Sequence, residues 1–301
     1  MSTRLRSSAL LVSMAIVVGL SYPAIAANAK PIASPSTLKS PALSKSLFEA
    51  LEPEYADYIF EVESGSVQRM ISDKVNVRVS PNMKADSIDT LSIGQPVTVV
   101  SKSPRILKLG QRSAHWYKVR YRKDGKDLTG YVWGANFSLG YHTRDGHDFL
   151  LGVGPFNDDS TAIMVVNVIK NQQLKQSITF DVSPESLSYV DFKWESSKGL
   201  EGIKNTLIAK VSGEACGIPT TTQYMLWTGD QLVSLPVLTS VSDAGSFYHS
   251  EDYVFPSDKG GKKGQIIKTL KVAEADEDSE KMTITQQERS VYLWKNGRLV
   301  K

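Results

Sequence analysis

Residues 75–100 read VNVRVSPNMKADSIDTLSIGQPVTVV, and apolar side chains alternate with polar ones at both ends of this stretch. Valines occupy every second position from 75 to 79, and Pro81 then interrupts the run. A second alternation ends at 97–100, directly after a glycine and a proline. The pattern predicts a strand, a long polar loop, a turn and a second strand. The loop could be catalytic, could bind a ligand, or could only be the corner of a small barrel.

Short segments of the same character continue on both sides of this stretch. Each is rich in β-branched or aromatic residues and is bounded by Gly, Pro, Asn or Asp. The sequence KDGK at 123–126 lies between two of them and predicts a hairpin turn, in which Gly125 can adopt positive φ. Five short strands within about 75 residues are typical of a small closed barrel, which leaves no exposed sheet edge. The segments are VQRMI, VNVRV, QPVTVV, HWYKVRY and LTGYVWGANF.

The order of several short motifs in this region resembles a bacterial SH3-like domain over roughly residues 66–140. The chain departs from the family pattern at Val79-Ser80-Pro81, where a small residue, Gly and Pro are usual, and in the longer connection 101–115. The resemblance implies a small barrel, placed at 66–141, that acts as a non-enzymatic binding module for cell-wall peptide or another protein. The motifs are Asn76-Val77-Arg78 with Pro81, Leu91-Ser92-Ile93-Gly94, Val97-Thr98-Val99, WYKVRY at 116–121 and Gly130-Tyr131-Val132.

The polar loop and one pair of aromatic residues are the candidate ligand site of this barrel. The loop 80–88 carries Asn82 and Asp86, which we predict to contact the ligand. Tyr131 and Trp133 are two positions apart on one strand, so they face the same side. If that side is the ligand groove, both rings stack on the ligand and Trp133 is only partly buried. The alternative is that the aromatic residues fill the barrel.

Residues 147–301 also show strand patterns, and no 15-residue window has the 3.6-residue period of a helix. Three segments share one arrangement, in which a Trp or Ile is followed by a polar turn and then by Leu five positions later. This repeat predicts a β domain of hairpins, built either as a propeller-like array or as a sandwich. Trp227 and Trp294 are then packing residues. The segments are QYMLWTGDQLV at 223–233, SVYLWKNGRLV at 290–300 and the weaker VVNVIKNQQLK at 165–175.

The N-terminus has the features of a secretory signal peptide. Arg4 and Arg6 precede an apolar run at 9–20, and Ala24-Ile25-Ala26 is a small-x-small cleavage site. The run is shorter than the roughly 20 residues that a membrane-spanning helix needs. We therefore predict a signal peptide at 1–26, no membrane span, and a periplasmic or secreted mature chain.

Two segments separate this signal from the barrel. Residues 27–46 are rich in Ala, Ser, Pro and Lys, which predicts a disordered linker. Residues 47–65 form a short helical or irregular lead-in. Loss of Arg4 and Arg6 lowers the formal net charge from +3 to +1, and the chain has no basic tract. Both facts argue against a nucleic-acid partner.

The sequence offers little catalytic chemistry. Cys216 is the one cysteine, which excludes an intrachain disulfide, and we expect its thiol to be buried. Its context, GEACGIP, lacks the helix start of the cell-wall cysteine peptidases. His142 and His147 flank a turn with carboxylates, HTRDGHD, and could bind zinc, but polar residues are expected there at a joint between domains. We predict no catalytic residue, no metal site and no cofactor.

The segment 243–264, DAGSFYHSEDYVFPSDKGGKKG, is a candidate partner-binding hairpin whose tip is 257–261. Long loops in compact domains often bind partners. Its aromatic residues are the predicted contacts. They are Phe247, Tyr248, Tyr253 and Phe255.

The sequence as a whole predicts an all-β, exported envelope protein that binds and does not catalyse. The ligand of the SH3-like module would be peptidoglycan peptide or an envelope protein. Two alternatives remain open at this point. One is a cell-wall enzyme that the barrel targets to its substrate, and the other is an adaptor or inhibitor that uses the 243–264 hairpin. The oligomeric state is not determined by the sequence.

Overall fold

A computed structural model describes residues 3–4, 59–158, 161–243, 245–276 and 281–300. The predicted linker, most of the lead-in and all of the predicted signal peptide except β1 (Thr3–Arg4) lie outside these residues. β1 pairs with Tyr189 and Val190 at the edge of the largest sheet, so cleavage after Ala26 would remove that pairing. The described residues form strands and two single-turn 3-10 helices, which confirms the all-β prediction. No helix among them is long and apolar enough to cross a membrane.

The first sheet has seven strands and curls around its own core. Six run in the spatial order β3-β6-β7-β8-β4-β5, and β2 pairs in parallel with β7. The predicted turn at 124–125 is present, with φ of 48° at Asp124 and 75° at Gly125. A 3-10 helix at Gly134–Asn136 follows the last strand. The strands are β2 (Ile59–Phe60), β3 (Val67–Arg69), β4 (Val75–Arg78), β5 (Ser87–Leu91), β6 (Pro96–Leu109), β7 (Arg112–Lys123) and β8 (Lys126–Trp133).

Two of the three alternating valines at 75–79 are buried as predicted, whereas Val79 follows the end of β4 and is 53% exposed. Val75 and Val77 are buried in the core of the first sheet, and Asn76 between them is exposed. Tyr117 is fully buried in the same core. The long connection 101–115 is mostly strand, because β6 and β7 extend as a two-stranded ribbon beyond the barrel.

A second sheet of four antiparallel strands follows, and both of its faces are covered. One face, with Phe149 and Leu151, packs against the third sheet in the main core. The opposite face, with Leu150 and Ile169, packs against Ile71 of the barrel and its neighbours. The order is β12-β11-β10-β9. The strands are β9 (Gly140–Arg144), β10 (His147–Asp158), β11 (Thr161–Lys170) and β12 (Gln173–Val182).

The third sheet is the largest and packs face to face on the second, so the second half of the chain is a sandwich. Of the two architectures predicted for the repeats, the propeller-like array is wrong, because the sheets share one apolar core. A smaller core lies on the other face of the third sheet and contains Phe255 and Trp294. Its strands after β1 are β13 (Tyr189–Glu195), β14 (Asn205–Ser212), β15 (Thr220–Trp227), β16 (Leu232–Ser234), β17 (Leu238–Asp243), β18 (Phe247–Val254), β19 (Gln265–Ala275), β20 (Met282–Lys295) and β21 (Arg298–Val300).

All three copies of the predicted repeat are β-hairpins with the same register. In each, the Trp or Ile lies directly opposite the Leu five positions later. The turns at 171–172 and 296–297 have positive φ at both residues, as two-residue hairpin turns require. The opposed pairs are Ile169 with Leu174, Trp227 with Leu232 and Trp294 with Leu299.

The barrel and the second sheet are in intimate contact. Asn167 donates a hydrogen bond from Nδ2 to the Ile71 carbonyl over 3.1 Å. A Cβ on Gly152 would lie 2.6 Å from Cγ1 of Ile71, so only glycine fits at this position. The segment 142–148 is not a joint between domains but the β9–β10 hairpin of the second sheet. The boundary between the two folds therefore lies just before Gly140.

Candidate functional site

An open cleft of about 280 Å³ lies on the barrel surface beside the polar loop. Its floor is formed by Trp116 on β7 and Trp133 on β8. These residues are directly opposite each other in the β7–β8 ladder, so both rings project to the same face. The other lining residues come from 72–78, from the polar loop, from the tip of the β6–β7 ribbon and from the 3-10 helix after β8. They are Ser72, Asp73, Lys74, Val75, Asn76, Arg78, Met83, Leu109, Arg112 and Asn136.

Trp133 lines this cleft as predicted, but its side chain is not the half-exposed ring that we expected. Only 6% of its surface is exposed. Its Nε1 donates to the carbonyl oxygens of Leu107, at 3.1 Å, and Ala114, at 3.2 Å. The expectation of partial exposure is wrong because the β6–β7 ribbon extends over the ring and supplies both acceptors. Trp133 is therefore a fixed part of the cleft floor.

Tyr131 projects to the same face as Trp133, as their parity predicted. It is half-buried and packs against the cluster that contains Trp116 and Trp133. It pairs with Arg78 on β4 and does not line the cleft. Its contact with a ligand stays a prediction.

The two predicted polar contacts of the loop do not line the cleft. The Oδ1 atom of Asn82 accepts a hydrogen bond from the Lys84 N–H at 2.7 Å, so this side chain stabilises the turn. Asp86 is exposed, and its main-chain carbonyl accepts from the Val79 N–H at 3.1 Å. The loop residue that lines the cleft is Met83. The roles of Asn82 and Asp86 in binding stay predictions.

Two apolar side chains form exposed rims of the cleft. Met83 is 47% exposed and Leu109 is 40% exposed. The β6–β7 turn places Leu109 directly opposite Arg112, so both residues reach the cleft together. The sequence contained a signal for this wall, since the connection 101–115 is longer than the family pattern.

The charges around the cleft are mainly positive. Lys74, Arg78 and Arg112 line it together with one acid, Asp73. The Oδ1 atom of Asp73 accepts a hydrogen bond from the Ile93 N–H at 3.3 Å. Arg78 donates from one guanidinium nitrogen to the Ala85 carbonyl at 2.6 Å, which fixes the polar loop. The cleft combines aromatic, apolar and cationic groups, an arrangement suited to an extended ligand that carries negative charge.

The segment 243–264 runs from the end of β17 through β18 to the connection with β19, and one of its four aromatic residues is buried. Tyr253 is half-buried, and its contact with a partner stays a prediction. Phe255 is only 1% exposed and packs in the smaller core, so its prediction as a partner contact is wrong. The ring of Tyr253 lies edge-on to Tyr224, and its hydroxyl donates to the Pro236 carbonyl at 2.8 Å. Burial raises the pKa of Tyr253 well above its usual value.

The remaining two aromatic residues of that segment are more accessible. Tyr248 is 37% exposed and Phe247 is half-buried. They lie at the opposite end of β18 from Tyr253, so the four rings do not form one surface. Contact of Phe247 and Tyr248 with a partner stays a prediction.

The side chains considered for catalysis or metal binding lie apart. Cys216 is exposed in the loop between β14 and β15, so the expectation of a buried thiol is wrong. His142 Nε2 lies 2.8 Å from the Phe192 carbonyl, and His147 Nδ1 lies 2.9 Å from the Asp145 carbonyl. Among the described residues, no group of three or more His, Cys, Asp or Glu side chains could hold a metal ion.

The first sheet is a small curled β-sheet of the SH3-like kind with an open cleft on its surface. The family model of the bacterial SH3 domain matches residues 73–138, which confirms the resemblance seen in the sequence. This range contains the cleft floor, both apolar rims and Arg112. No curated protein and no solved structure was found to match the chain.

Proposed function

We propose that the protein is an exported, non-catalytic binding protein of the bacterial envelope, and that its SH3 domain binds peptidoglycan peptide. Bacterial SH3 domains commonly bind peptidoglycan, and the matched residues carry the cleft. The observation that carries the proposal is the composition of this cleft. Trp116 and Trp133 give it a rigid floor, and Met83 and Leu109 leave apolar surface open to solvent.

Peptidoglycan peptides match these features chemically. They are short and extended, with alanine methyl groups and free carboxylates. The methyl groups can cover the exposed surfaces of Met83 and Leu109, and the carboxylates can approach the cations of the cleft. The sandwich then serves as a platform for the SH3 domain, since its second sheet packs against Ile71 and Ile93 of the barrel.

Export rests on the sequence features of the N-terminus. Arg4, Arg6, the apolar run and the Ala-x-Ala site support a cleaved signal peptide. Mass spectrometry of the periplasmic or secreted chain should show an N-terminus at Ala27, or at Lys30 if the second Ala-x-Ala site is used. A full-length chain that starts at Met1 and stays in the cytosol would contradict export.

Binding is tested by sedimentation of the purified mature chain with insoluble peptidoglycan, with a periplasmic extract as competitor. Leu109→Ser removes one apolar rim of the cleft, and Leu128→Ser is its matched control. Leu128 is 37% exposed, close to the 40% of Leu109, and does not line the cleft. We expect Leu109→Ser to weaken binding several-fold, because it removes apolar contact with the ligand. Leu128→Ser should bind like wild type.

Three other results would contradict this proposal. If the mature chain ignores peptidoglycan and captures a protein from the extract, the partner is an envelope protein. If soluble wall fragments accumulate while the chain is bound, the protein is an enzyme. Equal loss of binding in both serine variants would place the binding surface outside the cleft.

A further inference from the structure

Arg112 occupies a particular position at the tip of the β6–β7 ribbon. Its guanidinium carbon lies 5.3 Å from the centre of the Trp133 ring, within the range of a cation–π contact. Arg112 lines the open cleft and also an inner cavity of about 40 Å³ on the barrel. The side chain is half-buried. It therefore forms part of the wall of both spaces, with its charge held against the cleft floor.

The guanidinium of Arg112 has no hydrogen-bond acceptor and no ion-pair partner in the described part of the chain. The acids that line the same two spaces are engaged elsewhere. Asp73, in the outer cleft, accepts from the Ile93 N–H. Glu61, which lines the inner cavity, lies 2.9 Å from Lys102 Nζ and 3.6 Å from His115 Nε2. The barrel thus brings an arginine away from bulk water without supplying the anion that would balance it.

A partly buried arginine without an anion raises the free energy of the ligand-free protein, and a bound anion would offset this cost. A partly desolvated cation loses hydration, and the stacking contact with an aromatic ring returns only part of that loss. The burial lowers the pKa of Arg112 from its usual value, which reports the same loss of hydration. The contact with the ring restricts the guanidinium, and a guanidinium can bind a carboxylate through two parallel hydrogen bonds. Arg78 differs, because one of its nitrogens is already bonded to Ala85.

We propose that Arg112 is the carboxylate-binding residue of the cleft. It recognises a free carboxylate of an extended ligand while the rest of the ligand lies over Trp116 and the apolar rims. The source of that carboxylate rests on the proposed function, in which the ligand is peptidoglycan peptide. The anion site itself can be tested without any peptidoglycan.

The first test uses small probes and the wild-type mature chain. The Nε–H resonances of the arginines are followed by NMR during titration with sodium acetate, with acetamide, and with sodium chloride at equal ionic strength. The Arg112 resonance is assigned from its absence in Arg112→Lys. We expect a saturable shift of this resonance with acetate and none with acetamide or chloride, because only the carboxylate offers two charged acceptors. The Arg78 resonance in the same spectra is the internal control.

The second test links the site to the wall. Peptidoglycan is used before and after its carboxylates are converted to amides with carbodiimide and ammonium. Wild type should bind the amidated form about 10-fold less tightly, since a charge-assisted bond is lost. Arg112→Gln should bind both forms equally, at the level of wild type on the amidated form. Arg112→Lys should lie between the two, and Arg105→Gln is the matched control, because Arg105 is exposed on the same ribbon and outside the cleft.

The outcomes separate the two proposals. An Arg112 resonance that does not respond to acetate overturns the carboxylate site, even if the chain binds peptidoglycan. A specific acetate response without any peptidoglycan binding supports the carboxylate site and overturns the proposed function. If Arg105→Gln loses as much binding to untreated peptidoglycan as Arg112→Gln, the effect is one of net charge and the carboxylate site is wrong.

Discussion

The barrel and the sandwich each contain a tryptophan that lies directly opposite a residue of the neighbouring strand. The surroundings of the two tryptophans differ. Trp133 forms the floor of an open cleft, beneath rims that face solvent. Trp227 is completely buried, with its ring edge-on to Phe149 at 5.0 Å and to His147 at 5.2 Å. In the sandwich, a second sheet covers the tryptophan face. In the barrel, only the β6–β7 ribbon covers that face, so Trp133 is 6% exposed and still borders an open cleft. The comparison teaches that the extent of coverage decides whether such a ring is enclosed in a core or lines an open surface.

The largest effect tests the packing side of this comparison. Trp227→Ala should lower the free energy of unfolding by about 3–5 kcal/mol, because it leaves a large cavity in the main core. Denaturant unfolding of the mature chain measures this loss. Peptidoglycan binding of the folded fraction should be unchanged, since the cleft lies on the barrel. A stable variant that no longer binds would make the sandwich the recognition domain.

The contact between the barrel and the second sheet carries the next largest effect. Leu150 is fully buried against Ile71 and Ile93 of the barrel. Leu150→Ala should cost about 2–3 kcal/mol and should separate one cooperative unfolding transition into two, because it weakens the surface that joins the folds. Leu128→Ala, at an exposed position of the barrel, should keep the single transition. A single transition in Leu150→Ala would show that the two folds are coupled by other contacts.

A smaller difference in the free energy of unfolding is expected between variants that remove the indole N–H groups of the two tryptophans. The Nε1 atom of Trp133 donates to two carbonyls, whereas the buried Nε1 of Trp227 has no hydrogen-bond partner among the described residues. Replacement by Phe removes ring volume at both sites but removes hydrogen bonds only at Trp133. Trp133→Phe should therefore cost about 1–2 kcal/mol more than Trp227→Phe. Equal losses of stability would mean that the Trp133 hydrogen bonds contribute nothing beyond packing.

The sequence predicted those features that depend on local spacing. The hairpin repeats are an example, because a short turn places residues five positions apart directly opposite each other. Trp294 and Leu299 pair across their turn in this way. The strand at 75–78 is a second example, since the alternation of Val75 and Val77 fixed which face is buried. The common orientation of Tyr131 and Trp133 is a third example, because the two residues are two positions apart on one strand.

The features that the sequence could not predict depend on what covers each face or loop. Phe255 was expected on the surface but packs in a core whose other members are distant along the chain, including Leu200 and Ile266. Trp133 was expected to be half-exposed because the reach of the β6–β7 ribbon could not be derived from its length alone. Cys216 was expected to be buried from residue type, and its loop instead lies outside both sheets. Arg112 was missed because an unpaired guanidinium is recognised only from its three-dimensional surroundings.

The smallest effect concerns an ion pair on the barrel that lies outside the cleft. Burial acts to raise the pKa of Asp89, but hydrogen bonds from Lys123, the Thr90 N–H and Tyr121 outweigh it, so its pKa lies below the usual 3.8. A carboxyl group with a lowered pKa stabilises the fold above its unfolded-state pKa, and this contribution disappears as the pH falls through the folded-state value.

Asp89→Asn should therefore cost under about 1 kcal/mol at pH 7, because the partner Lys123 is well exposed and the charge interaction is screened. The difference from wild type should shrink as the pH falls below 3.8 and through the folded-state pKa. Asp127→Asn is the control, because Asp127 is exposed on strand β8 of the same sheet and forms no ion pair in the described chain. A difference that does not shrink as the pH falls below 3.8 would show that Asp89 stabilises the barrel through hydrogen bonds that do not require its charge.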